Sequence, residues 1–143
     1  MNTYIEPTQE SAQAAFSRDF PGAVIMLNLL RLKDMADYSY SPELAPEQPI
    51  SGREAFQKYI EHTLPFLTES GGEILFLGEG GQYFIGPQSE RWDLVMLIKQ
   101  SSLNSFIEFA SNQSYLEGIG HRTSAIMDSR LLPLNEFRVD CSD

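Results

Sequence analysis

The stretch Ala23–Leu32, AVIMLNLLRL, decides how the rest of the chain is read. Eight of its ten residues are apolar, and Asn28 and Arg31 are the exceptions. The run has strand length and falls far short of a membrane span. Because both alternating faces are apolar, the pattern predicts a strand covered on two sides. Alternation puts Val24, Met26, Asn28, Leu30 and Leu32 on one face and Ala23, Ile25, Leu27, Leu29 and Arg31 on the other. An amide and a guanidinium in such a strand cost free energy unless each finds a partner.

Working outward, residues 7–20 predict a short helix, begun at Pro7-Thr8 and stopped by Pro21-Gly22. This helix could lie across a sheet or be exchanged with a partner. Residues 34–50 form a long connection with Pro42, Pro46 and Pro49, read either as a surface crossover or as a lid. Ser51-Gly-Arg-Glu54 is a capping box ahead of a helical stripe of Phe56, Tyr59, Ile60, Thr63, Leu64 and Leu67. Pro65 predicts a kink in that helix, and Gly71-Gly72 ends it. Residues 73–86 predict a second strand, with a bulge or bend at Gly78 or Gly80-Gly81. A turn at 86–89 joins it to Arg91–Lys99, where Trp92, Leu94, Met96 and Ile98 alternate with Asp93, Val95, Leu97 and Lys99. A serine-capped helix carries Leu103, Phe106, Ile107 and Ala110 inward, and a short helical turn spans 114–122. In the last strand, Ala125–Leu134, the residues Ile126, Asp128, Arg130 and Leu132 are expected on one face.

The order is an N-terminal helix followed by β-α-β-β-α-β. It predicts an α+β, ferredoxin-like fold: a four-stranded antiparallel sheet with helices on one side. The expected division is a helical extension over 1–22, the domain over 23–135 and a loose acidic tail over 136–143. The first and third strands are apolar on both sides, yet the two helices cover one side. The N-terminal helix or a second copy of the chain must bury the other, and a twofold dimer joined through its sheet faces closes that account.

With 143 residues and 42% hydrophobic content, the chain suits one domain with its own core. A net charge of −10 argues against nucleic acid and anionic membrane as partners. A lone cysteine, Cys141, and an opening segment with neither basic nor apolar leader regions fit a reducing, cytoplasmic setting. No phosphate-cradling glycine loop, dinucleotide fingerprint or nucleophile elbow is present.

Among chemistry-bearing residues, Asp128 and Arg130 stand two apart in the last strand, where they form a structural ion pair or line an anion-recognising cavity with Arg31 or Arg122. His121 follows the Gly118-x-Gly120 break and serves either as a helix-end residue or as an acid–base group. His62 and His121 lack metal-ligand spacing, so neither metal nor cofactor is expected. Tyr59, Trp92 and Tyr115 read as core rings or as pocket walls.

Four segments together resemble the DUF1330 family of the dimeric α/β-barrel superfamily. They are VIMLNLLRL at 24–32, SGREAFQKYIEHTLPFLTESGGEILFLGEG at 51–80, ERWDLVMLIK at 90–99 and YLEGIGHRTSAIMDSRLLPL at 115–134. The superfamily includes cofactor-free monooxygenases, haem-degrading enzymes, muconolactone-isomerase-like proteins and stress-response dimers. The resemblance implies a homodimer with a cavity between sheet and helices in each subunit. It supplies no catalytic set, and no residue pair matches the haem-degrading relatives' motif.

Two functions follow as expectations. One is a cofactor-independent enzyme acting on a small oxygenated or anionic molecule in the helix–sheet cleft. In it Asn28, Arg31 and Arg130 orient the substrate, Tyr59, Trp92 and Arg122 complete the site, and His121 or Asp128 transfers the proton. The other is a non-catalytic dimeric ligand-binding or stress-associated module using the same cavity.

Overall fold

The structure, a computed structural model, describes residues 2–137; Cys141 and most of the acidic tail lie outside them. The chain runs α1 (Gln9–Phe16), β1 (Val24–Leu32), α2 (Gly52–Glu69), β2 (Glu73–Gln82), β3 (Arg91–Gln100), α3 (Leu103–Ala110), α4 (Gln113–Leu116), α5 (Ile119–Ala125) and β4 (Ile126–Leu134). The four strands are antiparallel in the order β2-β3-β1-β4, so β1 is central and β4 is an edge. This is the ferredoxin-like arrangement. Its second helical position is divided among α3, α4 and α5.

Alternation in β1 sorts the two faces. Val24, Met26, Asn28, Leu30 and Leu32 are buried, while the residues between them are half-buried. On the covered face, Leu30 and Leu32 join Leu94 and Met96 of β3, Phe56 and Tyr59 of α2, Tyr115 of α4 and Ile126 in one core. The capping box that starts α2 is formed: the Glu54 N–H donates to Ser51 Oγ (3.0 Å) and the Ser51 N–H to Glu54 Oε1 (3.3 Å). The helix continues through Pro65, and Gly71 follows it at φ +88°, the left-handed conformation that a C′ glycine supplies.

Several local expectations are corrected. The bulge in β2 falls at Leu75, between Ile74 and Phe76, and the strand passes through Gly78, Gly80 and Gly81 unbroken. Gly80 serves another purpose, since a Cβ there would stand 2.5 Å from the Trp92 carbonyl oxygen. In β4 a bulge at Met127 separates Ile126 from Asp128: Ile126 pairs with Leu32 and enters the core, whereas Asp128 pairs with Arg31. Ile126 therefore does not share the face of Asp128 and Arg130. Trp92 also leaves the Leu94 and Met96 core. The β1–β3 ladder ends at Leu30–Leu94, and beyond it the Leu32 N–H donates to the Asp93 carboxylate (2.8 Å) instead of to a strand carbonyl.

Residues 34–50 pack as a crossover. The Lys33 N–H bonds the Ala125 carbonyl, the Asp37 N–H bonds the Ser124 carbonyl, and a Cβ on Gly120 would stand 2.4 Å from Ser41 Oγ. Helix α1 buries none of its residues. The N-terminal segment instead follows the free edge of β4. Ser129 Oγ donates to the Tyr4 carbonyl, Arg18 to the Pro133 carbonyl, and Asn135 to the Asp19 carbonyl. That placement blunts an exposed strand edge. It leaves the second face of the sheet uncovered.

Candidate functional site: an arginine pocket on the open face

The helix–sheet cleft, where the sequence places the ligand, is nearly closed. Between α2, α3 and the sheet lies a cavity of about 40 Å³, walled by Tyr59, Ile60, Leu64, Met96, Ile98 and Phe109. That is room for a few waters and no more. Among the described residues its wall holds one orphaned polar atom, Thr63 Oγ1, which is buried without a partner.

The charged residues gather on the opposite, open face. Arg31, Glu90, Arg91, Trp92, Asp128 and Arg130, with Pro87 and Ser89 of the β2–β3 turn, line a pocket of about 210 Å³. Register explains the meeting, because Arg31 and Asp128 are direct partners in the β1–β4 ladder and Arg130 lies two residues along β4. Arg130 is held by several partners. Its Nη1 donates to Asp128 Oδ1 (2.7 Å) and to the Ser129 carbonyl (2.8 Å), and its Nη2 stands 3.9 Å from Glu90. Its guanidinium also lies over the rings of Tyr4 (4.9 Å) and Trp92 (5.0 Å). Trp92 is held by a bond from Nε1 to the Tyr83 hydroxyl (2.7 Å).

Asp128 Oδ1 also accepts from the Tyr4 N–H (2.8 Å) and the Ser129 N–H (2.9 Å). Burial pushes its carboxyl up, but the bonds from Tyr4, Arg130 and Ser129 outweigh burial and hold it below the usual carboxylate range. Asp128 is thus an anchored anion at neutral pH. Arg91 is taken by Asp93 (3.4 Å). Arg31 differs from its neighbours: its side chain has no hydrogen bond or ion pair among the described residues, and its Nε is buried without a partner.

Of the sequence-predicted residues, the fold brings together Arg31, Trp92, Asp128 and Arg130 and separates the rest. Asn28 is on the covered face, its amide donating to the Met26 carbonyl (3.3 Å). Tyr59 and Tyr115 share a buried hydrogen bond (2.7 Å), and burial with the neighbouring Tyr59 pushes the Tyr115 phenol well up. Arg122 donates to the Ile5 carbonyl (2.8 Å) and so fastens the N-terminal segment. His121 Nδ1 shares a hydrogen bond with the Tyr38 hydroxyl (2.7 Å) and does not line the pocket. Burial, then the charges of Lys58 and His62, lower its pKa. His62 Nε2 lies 2.9 Å from the Ser114 carbonyl oxygen, and a Cβ on Gly118 would strike its ring, so that glycine admits the histidine. Among the described residues, no three His, Cys, Asp or Glu side chains are grouped to hold a metal ion.

Sequence reasoning missed Tyr4, Pro87, Glu90, Arg91 and Asp93. Asp93 carried a signal, as a carboxylate alternating with apolar residues in a strand that pairs with the one bearing Arg31. Tyr4 carried none, because the return of the N-terminal segment to β4 is a tertiary event.

Comparison with known proteins agrees with this architecture. The methylated RPA0582 protein is 31% identical, with a TM-score of 0.85 over 98% of this chain and 99% of its own. This chain belongs to the RPA0582 family. A second structure of RPA0582, from Rhodopseudomonas palustris and described as a protein of unknown function, gives 31% identity and a TM-score of 0.84 over 96% of this chain and 100% of its own. A dimeric protein of unknown function with a ferredoxin-like fold, from Bacteroides fragilis, matches at 14% identity and a TM-score of 0.50, over 82% of this chain and 100% of its own. At that identity it speaks to fold alone. No family model and no curated protein matches the chain. Among the described residues, no helix is long and apolar enough to cross a membrane.

Proposed function

We propose that this RPA0582-family protein is a homodimer, joined through its open sheet faces, that binds a small organic anion in the Arg31–Arg130 pocket. In this reading 23–135 is a DUF1330-like dimeric α/β-barrel domain, 1–22 is an extension that guards the β4 edge, and the protein works in the cytoplasm without metal or cofactor. The observation that carries the reading is Arg31, a guanidinium with no partner among the described residues in a pocket whose other two arginines are committed. A guanidinium fork matches a carboxylate. Uncovered apolar side chains on the open face support the dimer: Phe76 is 55% exposed and Leu132 51%. Arg31 and Asp128 lie on this same face, so pairing the faces would roof the pocket.

Calorimetric titration with a panel of small carboxylic acids tests the reading. Arg31→Gln should weaken binding at least tenfold, in line with the ~1.5–3 kcal/mol of a charge-assisted hydrogen bond. Equal binding by the variant and the parent overturns it.

An enzymatic reading is supported by Asp128 Oδ2, which takes no bond from a described residue and is free to accept a proton. It expects Asp128→Asn to lose turnover at saturating ligand. His121, hydrogen-bonded to Tyr38 away from the pocket, has no part in it.

A further inference from the structure

We infer that the pocket ligand is a zwitterion, an α-amino acid whose carboxylate meets Arg31 and whose ammonium meets Asp128 and Glu90. This rests on the anion-binding reading above and narrows it. Arg31, Arg91 and Arg130 face Glu90, Asp93 and Asp128, so the pocket and its flanking carboxylate are neutral as a set. A simple anion would bring one unbalanced charge into this set, whereas a zwitterion brings none.

The unused hydrogen-bonding capacity has the same two signs. On the cationic side stands the Arg31 guanidinium, with no partner among the described residues. On the anionic side, every hydrogen bond to Asp128 from a described residue falls on Oδ1, which leaves Oδ2 without one among them; Glu90 touches the pocket's cations only at 3.9 Å, from Arg130 Nη2. Arg31 and Asp128 are directly opposed across an antiparallel ladder, where Cα atoms stand roughly 4.5–5.5 Å apart. A donor group and an acceptor group on one tetrahedral carbon can therefore reach both. Trp92 and Pro87 give the side chain an apolar wall, and about 210 Å³ admits a small or medium residue.

The test is calorimetric titration of the intact protein with α-amino acids of graded size, from glycine to phenylalanine, each beside its α-hydroxy acid and its deaminated carboxylic acid. The expected result is that the best amino acid binds at least tenfold more tightly than both analogues. Arg31→Gln should abolish its binding. Glu90→Gln, a change at a half-buried residue just after the β2–β3 turn, and Asp128→Asn should each reduce its advantage over the deaminated acid. Arg31-dependent binding in which the deaminated or the hydroxy acid equals the amino acid overturns the zwitterion and leaves the anion-binding reading standing. Absence of any Arg31-dependent binding overturns both. So does an Arg31→Gln variant that dissociates the dimer when the parent binds none of the panel, for then the partner of the guanidinium is the second chain.

Discussion

The two faces of the sheet are built from the same four strands, yet they do different work. The covered face is densely packed: Val24, Leu30, Phe56 and Ile126 are at most 1% exposed, and the Asn28 amide there is tied back to the backbone. The open face is equally apolar along β1, but its Ile25, Leu27 and Leu29 are only half-buried. It also carries the charged pocket, with the Arg31 guanidinium left without a partner among the described residues. On the proposed reading, stability and recognition fall on opposite sides of one layer. Substitutions should divide accordingly.

The largest effect belongs to the covered face. Phe56→Ala empties the centre of the core and should cost about 3–5 kcal/mol in denaturant unfolding. Gly52→Ala should cost about 3 kcal/mol, because its Cβ would stand 2.1 Å from the Lys33 carbonyl oxygen and 2.8 Å from that of Ala125, both backbone atoms that cannot step aside. On the open face, Phe76→Ser should change the stability of the isolated fold by less than about 1 kcal/mol while raising the monomer fraction in light scattering. A Phe76 variant that unfolds the chain and leaves its association intact would erase the contrast.

A smaller effect depends on pH. His121 has a folded pKa below its ordinary value of about 6.5, so the unfolded chain takes up the proton first. Its contribution is complete above about pH 6.5 and is lost as the pH falls from there toward the folded value. Urea midpoints between pH 7.5 and 5 should therefore decline in the parent and decline less in His121→Gln. The smallest effect is expected at the Arg53–Glu79 pair (3.3 Å), where both side chains are more than half exposed. Glu79→Ala should shift stability by no more than about 0.5 kcal/mol.

The division between faces was legible in AVIMLNLLRL, because alternation alone separates Asn28 from Arg31 and an apolar pattern on both sides demands two coverings. The same pattern gave the strand order its ingredients, since capping, turn and glycine signals are local chemistry. Half of the pocket could also be read: Asp128 and Arg130 are neighbours in one strand, and Arg31 announced itself as a charge in an apolar run. What could not be read depended on register and on chain return. The bulge at Met127 moves Ile126 into the core and sets Asp128 against Arg31, and no residue at that point marks it as a bulge. The ladder's end at Leu30–Leu94 turns Trp92 toward Arg130. Tyr4 reaches Asp128 from 124 residues away. The expected helix–sheet cavity is present but small, at about 40 Å³, and the larger pocket lies on the other face.

The central claim is that the open face is an interface and not a solvent face. Sedimentation equilibrium of the intact chain over a wide concentration range tests it most directly. The account predicts a species of twice 16.1 kDa that Phe76→Ser shifts toward the monomer. A single 16.1 kDa species at every concentration would contradict it.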